Sequence, residues 1–296
     1  MHREAFAGLL DSRILLLDGG MGSMLIAKGL VAGRAPEWWV IEHPDRIADA
    51  HRAYAEAGAD VVHAVTFGAN PVKLAVVGLQ ERAEEVNRRA VALARDACPA
   101  DTLIAGDVGP TGKFFPPMGD ATEDRLRDVY TSQVGWLADA GVDLISIETM
   151  YDLREAKAAV EAARATELPV LASMTFDRRK RGFFTLVGDR VIPSLQALRE
   201  AGADAVGFNC SLESAPMIDL VREAAAGVDA PLLAQPNAGQ PRPTADGVVY
   251  DADEGQFVAD LLQMVEVGAR IIGGCCGTDP SFIAGARQAL DSLDAA

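Results

Sequence analysis

Four times in this chain a helical pattern ends on a small residue and glycine, and a strand-like apolar run begins directly afterwards. The segments are Ala57-Gly58-Ala59-Asp60, Ala140-Gly141-Val142-Asp143, Ala201-Gly202-Ala203-Asp204 and Val267-Gly268-Ala269-Arg270. Glycine there supplies the left-handed cap that turns a helix back into the next strand. The apolar runs number eight: Ile14–Asp18, Asp60–Thr66, Thr102–Asp107, Asp143–Glu148, Pro169–Thr175, Asp204–Asn209, Pro231–Gln235 and Arg270–Gly273. Most are short and nearly continuous, as parallel strands covered on both faces are. Helical spacing fills the intervals, with patterns over Pro44–Ala57, Arg82–Asp96 and Asp124–Ala140. Eight strand–helix units predict an α/β fold, a single (β/α)8 TIM barrel over residues 1–296. A doubly wound open sheet is the alternative.

Composition narrows the function classes. A formal charge of −16 and a pI near 4.6 argue against nucleic acid and anionic membrane as partners. Four cysteines in 296 residues are not a disulfide framework. The N-terminus lacks a long apolar run, and nothing approaches the ~18 apolar residues of a membrane span. The expectation is a cytoplasmic enzyme with reduced thiols.

In a barrel, function gathers where the C-terminal strand ends meet, and three connections there are long: Ala27–His43, Gly109–Thr122 and Asn237–Asp253. The strand ends carry Asp18-Gly19-Gly20, Thr66-Phe67-Gly68, Asp107-Val108-Gly109-Pro110, Glu148-Thr149, Thr175, Asn209-Cys210, Gln235-Pro236-Asn237 and Gly273-Gly274-Cys275-Cys276. Strands six and eight are two apart, so Cys210, Cys275 and Cys276 can reach one metal. Three thiolates suit a tetrahedral zinc that keeps one position open for substrate.

Plainer readings stand beside this one. Adjacent cysteines can form a strained vicinal disulfide, and Cys210 alone reads as a small buried residue. Asp18 can cap a helix, and Glu148 can serve a structural ion pair. His63, inside an apolar strand, reads as a satisfied core histidine, Cys98 as a packing thiol, and Asp177-Arg178-Arg179-Lys180-Arg181 as a solvated loop.

Taken together, the strand ends resemble the zinc- and homocysteine-dependent S-methyltransferase family. The resemblance rests on Asp18-Gly19-Gly20-Met21-Gly22-Ser23, Thr66-Phe67, Gly109-Pro110-Thr111-Gly112, Glu148-Thr149, Gly207-Phe208-Asn209-Cys210, Pro236-Asn237-Ala238-Gly239 and Gly273–Thr278, in order along nearly the whole chain. It implies that Cys210, Cys275 and Cys276 hold Zn2+ and are the catalytic centre. It implies that Asp18 and Glu148 hold the ammonium of homocysteine, that backbone N–H groups near Thr66 and Phe67 take its carboxylate, and that Asn237 fills the fourth zinc position while substrate is absent. Methionine is then the product.

The family divides by methyl donor. Betaine-dependent members enclose a trimethylammonium in aromatic rings. At the matching places this chain has Ala35, Gly68 and Thr149, with Trp38 and Trp39 nearby but out of register. Its wording is closer to the homocysteine module of cobalamin-dependent enzymes, differing at His63, Ala64 and Val65. The implied donor is methylcobalamin, free or on a separate corrinoid protein, since folate- and cobalamin-binding domains are not expected within this length. The apolar loop Lys113–Asp120 is a docking surface for that partner or packs on its own barrel. The alternatives are S-methylmethionine, betaine or another onium donor, a non-catalytic homocysteine-binding subunit, and a zinc hydrolase, which would prefer histidine and carboxylate ligands.

Overall fold

The computed structural model describes residues 1–239, 242–244 and 247–294. Each of the eight apolar runs supplies one strand of a parallel barrel: Leu15–Leu16, Val61–His63, Leu103–Val108, Leu144–Met150, Val170–Met174, Ala205–Glu213, Leu232–Asn237 and Ala269–Ile272. Neighbours in the chain are neighbours in the sheet, and the eighth strand returns to the first through Leu15↔Ile271 and Leu16↔Ile272. A parallel bridge, Leu17↔Val61, closes the ring, with the Asp18 amide donating to Val61 O at 3.0 Å. The architecture is therefore a TIM barrel and not an open sheet. The three helical patterns become Pro44–Glu56, Ala83–Ala97 and Glu123–Asp139.

The Ala-Gly signature does two jobs. Gly58, Gly141, Gly202 and Gly268 all take positive φ, from 85° to 123°, as the left-handed cap requires. The aspartates that follow reach back to the preceding strand. Asp60, Asp143 and Asp204 accept the amides of Leu16, Ile104 and Val170, each at 2.8 Å. Arg287, Arg95 and Arg3 pair with these same carboxylates. In the fourth repeat Arg270 replaces the aspartate and donates to Leu10 O at 3.1 Å.

Strand alternation divides the barrel interior into two halves. At the N-terminal end Leu15, Leu17, Val61, Ala105, Leu144, Leu171, Ala205, Leu233 and Ile271 form one buried apolar cluster. Moving toward the C-terminal end on the same inward faces, the side chains become His63, Asp107, Ser146, Glu148, Ser173, Asn209 and Gln235. A core that is apolar at one end and polar at the other fixes which mouth can bind a polar ligand.

Three elements go beyond the sequence reading. Helix Arg3–Ser12 plugs the apolar end, placing Phe6 and Leu10 in the interior cluster. The charged stretch after the fifth strand is exposed as expected, but it is a hairpin, Asp177–Arg179 against Gly182–Phe184, and not a loop. A second hairpin, Arg242–Thr244 with Gly247–Val249, lies in the long connection Asn237–Asp253, where 240–241 and 245–246 are outside the described residues. Among the described residues no helix is long and apolar enough to cross a membrane.

Phe6 is 1% exposed. Replacing it with alanine opens a cavity at the closed end, and Phe6→Ala is expected to cost about 3–5 kcal/mol of stability. Denaturant unfolding should show this, while metal and ligand binding at the far mouth stay unchanged.

Candidate active site

The paired-cysteine turn is clamped from both sides. The Gly274 amide donates to Asp18 O at 3.0 Å, the Cys275 amide to Pro236 O at 2.9 Å, and the Ala238 amide to Cys276 O at 2.9 Å. Thr278 completes the clamp, donating through Oγ1 to Cys275 O at 2.6 Å and accepting the Gly20 amide at 3.0 Å. A Cβ on Gly20 would lie 2.5 Å from Cys275 O, so only glycine lets the first-strand turn approach this closely. The ring of Tyr250 packs over Gly277.

Cys210 arrives from the sixth strand. Its Sγ lies 3.9 Å from Cys276 Sγ, and the three sulfurs of Cys210, Cys275 and Cys276 are all within 4.8 Å of one another. All four cysteines are free thiols, so the adjacent pair is not a vicinal disulfide. Three sulfurs this close cannot all ionise without a cation among them. S–H donation from Cys275 and Cys276 draws Cys210 down to about 3. Facing that thiolate pushes Cys276 up to about 12 and raises Cys275 as well. The Asn237 side chain also helps to lower the Cys210 thiol, while its Oδ1 is buried without a partner among the described residues. Three soft donors and one free amide oxygen are a donor set that fits zinc. Among the described residues this is the one group of three His, Cys, Asp or Glu side chains with metal-ligand spacing.

The sulfurs stand at one end of a cavity of about 360 Å³, a size suited to a small molecule. Its walls include Met21, Pro36, Val65 and Phe67, with the polar groups of Glu37, His63, Asp107, Glu148 and Gln235. Glu148 is raised to about 7, by burial first, against the opposing pull of His63. Burial also raises Asp107 well above the usual carboxyl range, with the Glu148 charge adding to it. Burial raises Glu37, whose Oε1 accepts the Gly68 amide at 2.7 Å.

Asp18 is not in the cavity wall, and it does not cap the following helix. It is 1% exposed, and both its oxygens are taken by His63: Oδ2 accepts the His63 amide at 2.9 Å, and Oδ1 lies 2.6 Å from Nδ1. Nε2 of the same ring lies 3.1 Å from Ser146 Oγ. Burial disfavours the imidazolium, but the Asp18 carboxylate outweighs it and, with Glu148 and Asp107, raises His63 to about 10. His63 is thus satisfied, as expected, but it faces the cavity as a cation.

Backbone strain gathers at the same rim. Cys210 and Ser211 sit at φ 59° and 57°, and β-branched Thr149 at φ 60°, in the left-handed region that non-glycine residues avoid. Asn209 holds these segments together. Its Oδ1 accepts the Thr149 amide at 2.7 Å and Ser173 Oγ at 2.8 Å, and its Nδ2 donates to Thr149 Oγ1 at 2.7 Å. One amide thereby ties the Glu148-Thr149 turn to the Cys210 turn.

The other expected residues divide. Phe67 lines the cavity; Thr66 is fully buried and ties strands together, donating to Asp107 O at 2.8 Å and accepting its amide at 3.0 Å. Thr111 donates to buried Glu155 through both amide and hydroxyl, fixing the start of the Gly109–Thr122 loop. In that loop Phe115 is buried beneath Arg154 and Phe114 meets Tyr151, leaving Met118 turned outward. Trp38 and Trp39 face Arg34 and Arg46 away from the cavity wall, so they form no aromatic box there. Cys98 is half-buried, and burial pushes its thiol up to about 11, consistent with packing. The sequence reading missed the roles of Glu37, Asp107 and Gln235. Asp107 was visible at a strand end, whereas Glu37 gave no local signal.

Comparison with known proteins adds the following. A family model described as homocysteine S-methyltransferase matches residues 15–290. A methionine synthase of Mycobacterium tuberculosis is 30% identical, over 96% of this chain and 25% of its own length. A methionine synthase of Mycobacterium leprae is 29% identical, over 93% and 24%. The chain spans about a quarter of the length of these curated relatives. The metallated form of the homocysteine methyltransferase MmuM from Escherichia coli is 26% identical with a TM-score of 0.79, covering 95% of this chain and 98% of that one.

The His63–Asp18 pair gives the site a pH signature. His63 has its folded-state pKa raised from 6.5 to about 10. Its stabilisation is therefore complete below pH 6.5, declines above it, and is gone beyond about pH 10. Thermal melts should show His63→Gln several degrees less stable than the parent at pH 6, with the gap closing toward pH 10.

Proposed function

The chain belongs to the homocysteine S-methyltransferase family, and we propose that it methylates the thiol of L-homocysteine to give methionine. The observation that carries this reading is the convergence of three cysteine sulfurs on one end of a cavity whose other wall is acidic. That arrangement suits a small amino acid with a thiol at one end and an ammonium at the other. In the reaction the homocysteine sulfur forms a bond to the methyl carbon, the bond from methyl to its carrier breaks, and the thiol proton leaves to solvent.

Cys210, Cys275 and Cys276 would hold the metal, and Asn237, with its unpartnered amide oxygen, would serve as the fourth donor until substrate arrives. A zinc ion bound there keeps a coordinated thiol deprotonated at neutral pH, where a free thiol with a pKa near 8.5 is mostly protonated. The chain's own residues orient the substrate. Glu148, in the cavity wall, would receive the ammonium, and the Phe67 amide next to Thr66 would take the carboxylate, since the Thr66 and Gly68 amides already donate to Ala64 O and Glu37 Oε1. Met21, Pro36, Val65 and Phe67 exclude water along the carbon chain. Effective orientation is worth several orders of magnitude in such a displacement.

For the donor, the likeness to methionine synthases supports methylcobalamin, free or carried by a separate corrinoid protein. A second reading, an onium donor such as S-methylmethionine, is favoured by the likeness over nearly the full length of MmuM. Betaine is disfavoured, since Phe67 is the one Phe, Tyr or Trp among the cavity-lining residues and a lone ring of that kind makes no trimethylammonium cage. We read residues 1–296 as one catalytic barrel working in the cytoplasm, where its thiols stay reduced.

The test is purified zinc-loaded protein given homocysteine and, separately, methylcobalamin, a methylated corrinoid protein, S-methylmethionine and betaine. Methionine from methylcobalamin or the corrinoid protein supports the first reading, and methionine from S-methylmethionine alone supports the second. No methionine from any donor would contradict both.

A further inference from the structure

Tyr54 carries a hydroxyl deep in the apolar core. Helix Pro44–Glu56 buries it completely, and its ring lies in the same hydrophobic cluster as Leu16 and Val62. A phenol buried this way needs a partner for its O–H. Here the partner is the Thr278 carbonyl, 2.9 Å away in space and 224 residues away in sequence. Burial keeps the phenol neutral, pushing its pKa well above the usual range, so the hydroxyl is free to donate.

Thr278 closes the paired-cysteine segment, and both of its donors turn back on Cys275. Its amide reaches Cys275 O at 3.2 Å and its hydroxyl reaches the same oxygen at 2.6 Å. Its own carbonyl accepts two donors, the Tyr54 hydroxyl and the Gly20 amide, each at 2.9 Å. Thr278 thus takes its position from a helix and the first-strand turn, and passes it to the cysteines. The first-strand turn leaves room for this contact: a Cβ on Gly19 would lie 2.6 Å from Thr278 O and 2.9 Å from Tyr54 Cε1. Tyr54 is neither in the cavity wall nor among the clustered sulfur donors, so it meets substrate and metal only through Thr278.

We infer that Tyr54 is a positioning residue for the metal centre. Through the Thr278 carbonyl its hydroxyl fixes the turn that carries Cys275 and Cys276, and so sets how tightly the three-sulfur site holds its metal. The inference rests on the reading of Cys210, Cys275 and Cys276 as metal ligands. A tyrosine that served the core alone would owe its place to its ring, and phenylalanine would replace it without effect on the sulfurs.

The test compares the parent with Tyr54→Phe, which keeps the ring and removes the hydroxyl. Zinc dissociation constants are measured by competition with a chromophoric chelator, and unfolding is followed in metal-free and zinc-loaded protein. Tyr54→Phe should bind zinc roughly threefold to tenfold more weakly, the usual worth of one buried neutral hydrogen bond whose acceptor keeps a second donor. The rise in Tm that zinc brings should shrink with it, and the visible bands of cobalt(II) bound in place of zinc should shift. Thr278→Val, which removes the hydroxyl link to Cys275, should weaken zinc binding at least as much, whereas Thr278→Ser should keep most of the affinity. Added to Thr278→Val, Tyr54→Phe should have a smaller effect than it has alone, because the two act along one path. Zinc affinity and cobalt bands unchanged in Tyr54→Phe, with equal loss of stability in metal-free and zinc-loaded protein, would overturn the inference. Full additivity with Thr278→Val would do the same. If metal-free Tyr54→Phe does not fold, parent-level zinc affinity in Thr278→Val overturns the inference by the second route. A parent protein that binds no zinc would instead overturn the reading of the sulfurs as a metal centre.

Discussion

Like-charged sulfurs repel, and three of them within 4.8 Å are stable together only if most remain protonated or a cation joins them. Everything around the mouth of this barrel serves to hold that crowded arrangement. The paired-cysteine turn hangs between the first and seventh strand ends by backbone hydrogen bonds, with Thr278 bridging to Gly20. Cys210 is delivered from the sixth strand in a left-handed conformation that its sequence neighbours would not choose unaided. Asn209 holds it there, and the same amide fixes the turn that carries Glu148. The sulfur end and one wall of the acidic end of the cavity are therefore coupled through a single side chain.

The barrel makes this possible through a division of labour along its axis. At the closed end, leucine, valine and alanine side chains fill the interior, and Phe6 and Leu10 seal it. At the open end the same inward register carries histidine, serine, carboxylates and amides. Polar groups buried at that depth need partners, and most find them in each other: His63 with Asp18 and Ser146, Asn209 with Ser173 and Thr149. The exceptions are few, and several face the same space. Asp107 Oδ1, Gln235 Oε1 and Asn237 Oδ1 are buried without a partner among the described residues, around the cavity and its sulfur end.

Much of this was legible in the chain itself. The glycine-terminated helices gave the period of the barrel, and the apolar runs gave its strands, because local capping and burial on both faces leave strong marks. The three cysteines stood at strand ends that only a closed barrel brings together, so topology alone united residues 210 and 275. What stayed hidden depends on contacts with no local trace. Nothing in Arg3–Ser12 says that it plugs a barrel, since its partners are scattered over eight strands. The engagement of Asp18 by His63 was equally invisible: each residue has an ordinary reading alone, and only the bridge between the first two strands sets them 2.6 Å apart. Hairpin Asp177–Arg179 with Gly182–Phe184 escaped notice because its charges read as solvated, which they are.

The most direct measurement of the central claim is X-ray absorption at the zinc edge, on zinc-loaded protein before and after saturation with L-homocysteine. The account predicts three sulfur ligands and one oxygen or nitrogen ligand at rest, changing to four sulfurs with the amino acid bound. Fewer than three sulfurs at rest, or a sulfur count that does not rise with homocysteine, would contradict it.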